Sequence, residues 1–210
     1  MNAQIIQALD KDNCDLFLIN QSHNNLRYVK NFFSIPGSYQ ANLIKGGPTT
    51  FHDPSICQYC IIKNKPKSLE GILRIYFPES VIQDPNQDIN TEQFTKTFQN
   101  VFFPDCKLSC VSVPLLYLSV RLGRFECFEV LIKFMSSCIS KCQEMSQYYQ
   151  QKYQKGNYLF LEVLDIEAAL DESKADNENP QTHKFLRCLL QGGISLTDFE
   201  VMTCIQKYGK

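Results

Sequence analysis

The sequence predicts an all-α fold, a helical-repeat solenoid that takes up residues 1–210 as a single domain. Two observations point there. An order of short apolar helix, tight polar break and second apolar helix recurs along the chain. Strand-like alternation is almost absent, with only CKLSCVSV at 106–113 alternating, and weakly. Units of this kind bury their apolar faces against their neighbours, which is how stacked-repeat proteins are built.

The clearest copy follows Pro114 and reads LLYLSVRLGRFECFEVLI from Leu115 to Ile132. Its first helix closes on the small Ser119, breaks at Gly123-Arg124 and resumes over Phe128–Phe134. The same order returns at Ser55–Leu73, with Cys60 in the small-residue place, Asn64 at the break and Ile72-Leu73 where Leu131-Ile132 stand. The start, IIQALDKDNCDLFLI, offers Ala8 and Asp12-Asn13 in those roles. The expected helix pairs therefore lie near 3–20, 55–77, 113–135 and 158–191, with a capping helix at 197–207. Further helices are expected at 24–35, ended by Pro36-Gly37, and at Thr91–Phe102, where Phe94, Phe98 and Val101 share a face. Lys45-Gly46-Gly47-Pro48 reads as a turn or linker. Pro54 is placed to open the second pair, Pro66 lies in its break, and Pro78 stops it. The fourth pair joins 158–170 to 183–190 across a polar insert at 171–181 that reads as a disordered loop, and ends on Gly192-Gly193. Large side chains at Ala8, Cys60, Ser119 and Ala169 would push the stack apart. The same core is expected to hold Leu116, Val120, Phe128, Leu131, Ile132, Ile61, Leu69, Ile72, Leu189 and Leu190.

These stretches resemble divergent ankyrin repeats of the kind common in protist proteins. PLLYLSVRLGRFECFEVLIKF looks like the family's first helix, turn and second helix, and CLLQGGIS looks like its helix end and glycine turn. The opening stretch looks like the half-repeat that often begins such arrays. About half the chain is covered. The family's threonine-proline-leucine-histidine opening is absent, and its alanine is Cys60 or Ser119 here. The spacing of the small residues exceeds the family period of about 33 residues. Either long loops divide the repeats or further degenerate helices, such as 24–35 and 91–102, fill the gaps. The resemblance implies a scaffold that binds another protein.

Composition narrows the alternatives. Hydrophobic residues make up 44% and charged residues 20%, which suits a packed core. Formal net charge is −1, so no global field draws nucleic acid. Lys63, Lys65 and Lys67 form the only basic cluster of note and read as a solvated loop. No apolar run is long enough to span a membrane, and the start lacks the pattern of a secretory signal. Ten cysteines without such a signal suggest reduced thiols in cytoplasm or nucleus.

Catalytic constellations are not evident. The three histidines, His23, His52 and His183, lie outside any nucleophile context, so a cysteine-dependent enzyme is the remotest reading. Asp165, Glu167, Asp171 and Glu172 cluster on a helix and its exit, as a solvated face. A sharper alternative is a zinc-stabilised module: Cys57 and Cys60 have ligand spacing, and Cys106 and Cys110, with or without His52, could complete a tetrahedral set. Against it, Cys60 already serves as a small core residue. Cys138 and Cys142 fall one helical turn apart, which allows a metal edge but is more often the spacing of a packing pair. The reading that best fits is a non-catalytic protein-binding scaffold, or a subunit of a larger assembly, with no cofactor. Partner-binding candidates are Phe51, His52, Asp53, Phe102, Phe103 and Asp105, aromatics beside polar groups on the segments that enter the first helices. The alternative use of these phenylalanines is to seal the interface between repeats.

Overall fold

Short apolar helices need a defined stop, and three of the stops among the described residues are built alike. The computed structural model describes residues 3–13, 34–44, 46–78, 82, 90–104, 113–142, 147, 151, 185 and 188. Within them run α1 (Ala3–Asp10), β1 (Ser38–Leu43), β2 (Gly47–His52), α2 (Ile56–Ile62), α3 (Pro66–Tyr76), α4 (Thr91–Phe102), α5 (Leu115–Arg121) and α6 (Phe125–Lys141). Three helices, α1, α2 and α5, end in a left-handed residue: Asp12 at φ 50°, Asn64 at φ 52° and Gly123 at φ 65°. The N–H of each left-handed residue donates three positions back, to Leu9, Ile61 and Val120 at 3.0, 3.1 and 3.0 Å. The following N–H donates five back, from Asn13 to Ala8 at 3.4 Å, Lys65 to Cys60 at 2.7 Å and Arg124 to Ser119 at 2.8 Å. This paired closure is the Schellman arrangement, and it satisfies carbonyls that a helix end otherwise leaves bare. The acceptors of the longer bond are the small residues themselves.

The all-α expectation does not hold. Residues 38–52 form an antiparallel ribbon, with Ser38 opposite His52, Gln40 opposite Thr50 and Leu43 opposite Gly47. The chain is a mixed helix-and-strand protein rather than an all-α repeat solenoid. The glycines read as a linker are the ribbon's turn and the start of β2, held at positive φ where side chains are disfavoured (Gly46 125°, Gly47 76°). Only Tyr39, Ala41 and Leu43 of β1 face the core. So short a stripe, set among Ser, Gln and Asn, gives little strand signal.

Local starts also differ from the sequence reading. Helix α2 opens on a capping box, Ser55 accepting from the Gln58 N–H at 3.2 Å while Gln58 accepts from the Ser55 N–H at 2.8 Å. Pro54 sits just ahead, its carbonyl taking the Ile35 N–H at 2.7 Å. Pro66 is the first residue of α3 instead of lying in the break, where its missing N–H costs nothing. Helix α6 starts at Phe125, earlier than expected, and continues to Lys141. At the end of the expected 24–35 helix, Ser34 bridges to Ser55 in extended conformation. Residues 24–33 of that stretch, residues 14–20 and 106–112, the 171–181 insert, the 197–207 helix, and the fourth pair apart from Phe185 and Cys188 lie outside the described residues.

Packing follows pair order. The first helices α2 and α5 lie against each other, as do the second helices α3 and α6, giving two helix layers with β1 against α2. Ala8, Cys60 and Ser119 are all buried, as are Ile61, Leu69, Ile72, Leu116, Val120, Phe128, Leu131 and Ile132. Helix α4 closes one side through an aromatic knot. Phe77 stacks on Phe102 at 5.6 Å and meets Phe94 edge-on at 5.7 Å, while Phe98 lies 4.8 Å from Phe102. Phe185 is fully buried edge-on to Phe125 and Phe128, so residues far along the chain reach the α6 end of the core.

Candidate functional site

The ribbon is the feature that stands out from the helix layers, and its geometry is fixed at both ends. At the base, Asp53 at φ 45° turns the chain into α2. Its carboxylate accepts the Gly37 N–H at 2.8 Å, while its own N–H donates to the Gly37 carbonyl at 2.9 Å. Gly37 is required there: its φ is 132°, and a Cβ would lie 3.0 Å from the Tyr39 hydroxyl. Ser38 Oγ and His52 Nδ1 are 2.8 Å apart across the first register pair. At the tip, the Ile44 N–H donates to the Arg121 carbonyl at the end of α5, 2.8 Å away. The ribbon thus bridges the second and third helix pairs.

Strand alternation then sorts its side chains. Ser38, Gln40, Asn42, Pro48, Thr50 and His52 are exposed on one face. That face carries no Lys, Arg, Asp or Glu and is rich in hydrogen-bonding groups. Pro48 lacks an N–H, which blunts β2 as an edge for further pairing. On the other face Tyr39 meets Tyr59 edge-on at 5.0 Å, and the Lys63 ammonium stands 5.4 Å from the Tyr39 ring centre. The Tyr59 hydroxyl donates to Asp10 Oδ1 at 2.6 Å. Burial, then the Asp10 hydrogen bond and charge, push the Tyr59 phenol well up. Burial and the nearby Asp10 and Asp53 charges raise Tyr39.

The partner-binding candidates separate on this frame. Phe51 and Phe102 are buried, at 4% and 2% exposure, and pack in the core. Phe103 is half-buried with its ring 6.2 Å from Phe98. His52 is exposed and Asp53 half-buried, both at the ribbon base, and Asp105 lies outside the described residues. The two phenylalanines are therefore core residues rather than exposed anchors. The ribbon's exposed polar face was not legible in the sequence, because its strands were not.

The lysine loop carries structural duties in addition to charge. Lys65 donates through its ammonium to the Asp10 carbonyl, and Lys63 covers Tyr39, while Lys67 is exposed.

Cys57 and Cys60 are both buried on α2. Burial pushes the Cys57 thiol up to about 12 and lifts Cys60 well above its usual range. Cys127 is likewise raised to about 12 by burial. Cys138 is raised by the same cause, and Cys188 by burial and the Glu129 charge. A thiolate is the form that attacks a substrate, and burial at these sites disfavours it. His52 points its ring to Ser38 on the ribbon, and no three His, Cys, Asp or Glu residues are grouped for a metal among the described residues. Cys106, Cys110, His23, His183, Asp165, Glu167, Asp171, Glu172, Ala169, Leu189 and Leu190 lie outside them. Among the described residues no helix is long and apolar enough to cross a membrane.

Comparison with protein-family models, with curated proteins and with solved structures gives no match.

Proposed function

We propose that this chain is a non-catalytic protein-binding scaffold, distantly related to ankyrin repeats, that works in the cytoplasm or nucleus. The observation that carries the reading is the recurrence of one helix-end closure at Asp12, Asn64 and Gly123, each behind a buried small residue. The helix pairs pack side by side and hold the ribbon at both its ends, and a surface fixed in advance in this way suits binding.

The partner docks on the ribbon face that carries Gln40, Asn42, Thr50 and His52. It faces away from the helix layers, is anchored at both ends and offers hydrogen-bonding groups to another protein. The test is affinity capture with the parent chain against a Gln40→Arg, Thr50→Arg double variant, both shown to unfold cooperatively. Loss of specific partners from the variant supports the assignment. A parent that captures nothing above background, or a variant that retains every partner, overturns it.

A further inference from the structure

We propose that α1 is a strap latched onto the second helix pair by Asp10 and Asp12, and that its release and the loosening of the first turn of α3 are one event. Local sequence opposes α1. It has eight residues, a length at which isolated helices are marginal, and Asp10 places a carboxylate in its last turn, at the negative end of the helix. Contacts to the second pair offset this. Asp10 Oδ1 accepts from the Tyr59 hydroxyl at 2.6 Å, and the Asp10 carbonyl accepts from the Lys65 ammonium. Just beyond, Asp12 Oδ1 accepts the Ser68 N–H at 2.8 Å.

That last bond serves α3 as much as α1. Lys65, at the N-cap of α3, makes no side-chain cap of its own, so the Asp12 carboxylate does the capping from another part of the chain. Ser68 is fully buried and its Oγ has no hydrogen-bond partner, so losing Asp12 would leave its N–H bare as well. The corresponding contacts one pair along are longer: Asn64 Oδ1 receives the Cys127 thiol at 3.8 Å, and Asn64 Nδ2 donates to Glu126 Oε2 at 3.5 Å. Cys127, like Ser68, is the third residue of its helix. Gly123, third in the series, has no side chain with which to make such a contact. A carboxylate latch on a short, self-disfavoured helix is therefore particular to α1 among the described residues. It covers Tyr59, only 3% exposed, whose ring pairs with Tyr39 beneath Lys63.

Amide hydrogen exchange on the full chain tests this. Asp12→Gly keeps the left-handed backbone but removes the carboxylate. It should speed exchange at Ser68 and across α1 together, on the order of five- to tenfold, with the first turn of α6 unchanged. Tyr59→Phe keeps the ring and removes only the donor to Asp10. It touches no atom bonded to Ser68, yet should speed the same two sets of amides by a common factor. Ser68 accelerating while α1 stays unchanged in Asp12→Gly would overturn the proposal. So would an unchanged Ser68 in Tyr59→Phe, a variant mild enough to carry the test if Asp12→Gly fails to fold.

Discussion

Ser119→Leu probes the seam on which the packing depends. Ser119 is fully buried on α5, which packs against both α2 and α6. Its hydroxyl donates to the Leu116 carbonyl at 2.7 Å, so the polar group is satisfied within its own helix. Removing it is mild: Ser119→Ala should change stability by less than about 1 kcal/mol. Leucine is different, because a longer branched side chain must enter a seam closed by neighbouring helices. Overpacking of that kind costs about 1–3 kcal/mol. With a urea slope of about 2 kcal/mol per molar, the midpoint should fall by roughly 0.5–1.5 M. Circular dichroism through a urea series reads this directly, with exposed Thr50→Val as the control that should barely move. Coincident midpoints for Ser119→Leu and parent would mean that the seam is open there. The register relating Ser119 to Ala8 and Cys60 would then be wrong.

Other expectations rest on single features. Gly123→Ala forces a side chain into φ 65° and should cost about 1 kcal/mol in the same urea assay, whereas Asn64→Gly should cost less because glycine suits that backbone. Burial alone would raise the Glu70 carboxyl, but the Arg74 hydrogen bond and charge, with Lys133, outweigh it and hold the group below its usual value. A depressed carboxyl contributes stability that is present above its unfolded pKa, about 4.3, and is lost as pH falls through the folded value. The midpoint difference between parent and Glu70→Gln should therefore shrink between about pH 6 and pH 3, and a constant difference would contradict the pairing. Cys57, Cys60, Cys127 and Cys138 should resist a thiol reagent until the chain unfolds, since burial keeps them protonated. Native labelling of any of them at the rate of an exposed thiol would show that its site is open.

Helix ends were legible in the sequence because they depend on neighbours a few residues away. A small residue followed four positions later by Asp, Asn or Gly marks a left-handed stop, and all three examples form one. Thr91–Phe102 was legible for the same reason, its phenylalanines spaced to one helical face. The ribbon was hidden because its stability comes from elsewhere: from Tyr59 beneath Tyr39, and from the Arg121 carbonyl far along the chain. Local alternation in SYQANL is too thin to announce it. Of the candidate site, His52 and Asp53 could be picked out as polar groups near a helix entrance. Phe51 and Phe102 could not be told from exposed anchors, since burial is decided by α4 and the facing helices rather than by their immediate sequence. Nor could Asp12 be recognised as the cap of α3, because the bond to Ser68 joins segments that only folding brings together.

The recurring helix end is the central structural claim, and through-hydrogen-bond NMR couplings test it most directly. The Lys65 amide should couple to the Cys60 carbonyl and the Arg124 amide to the Ser119 carbonyl, as the 2.7 and 2.8 Å bonds require. Coupling of Lys65 to Ile61 and of Arg124 to Val120 would instead mean that the helices run on through Asn64 and Gly123, and the repeated unit would not exist.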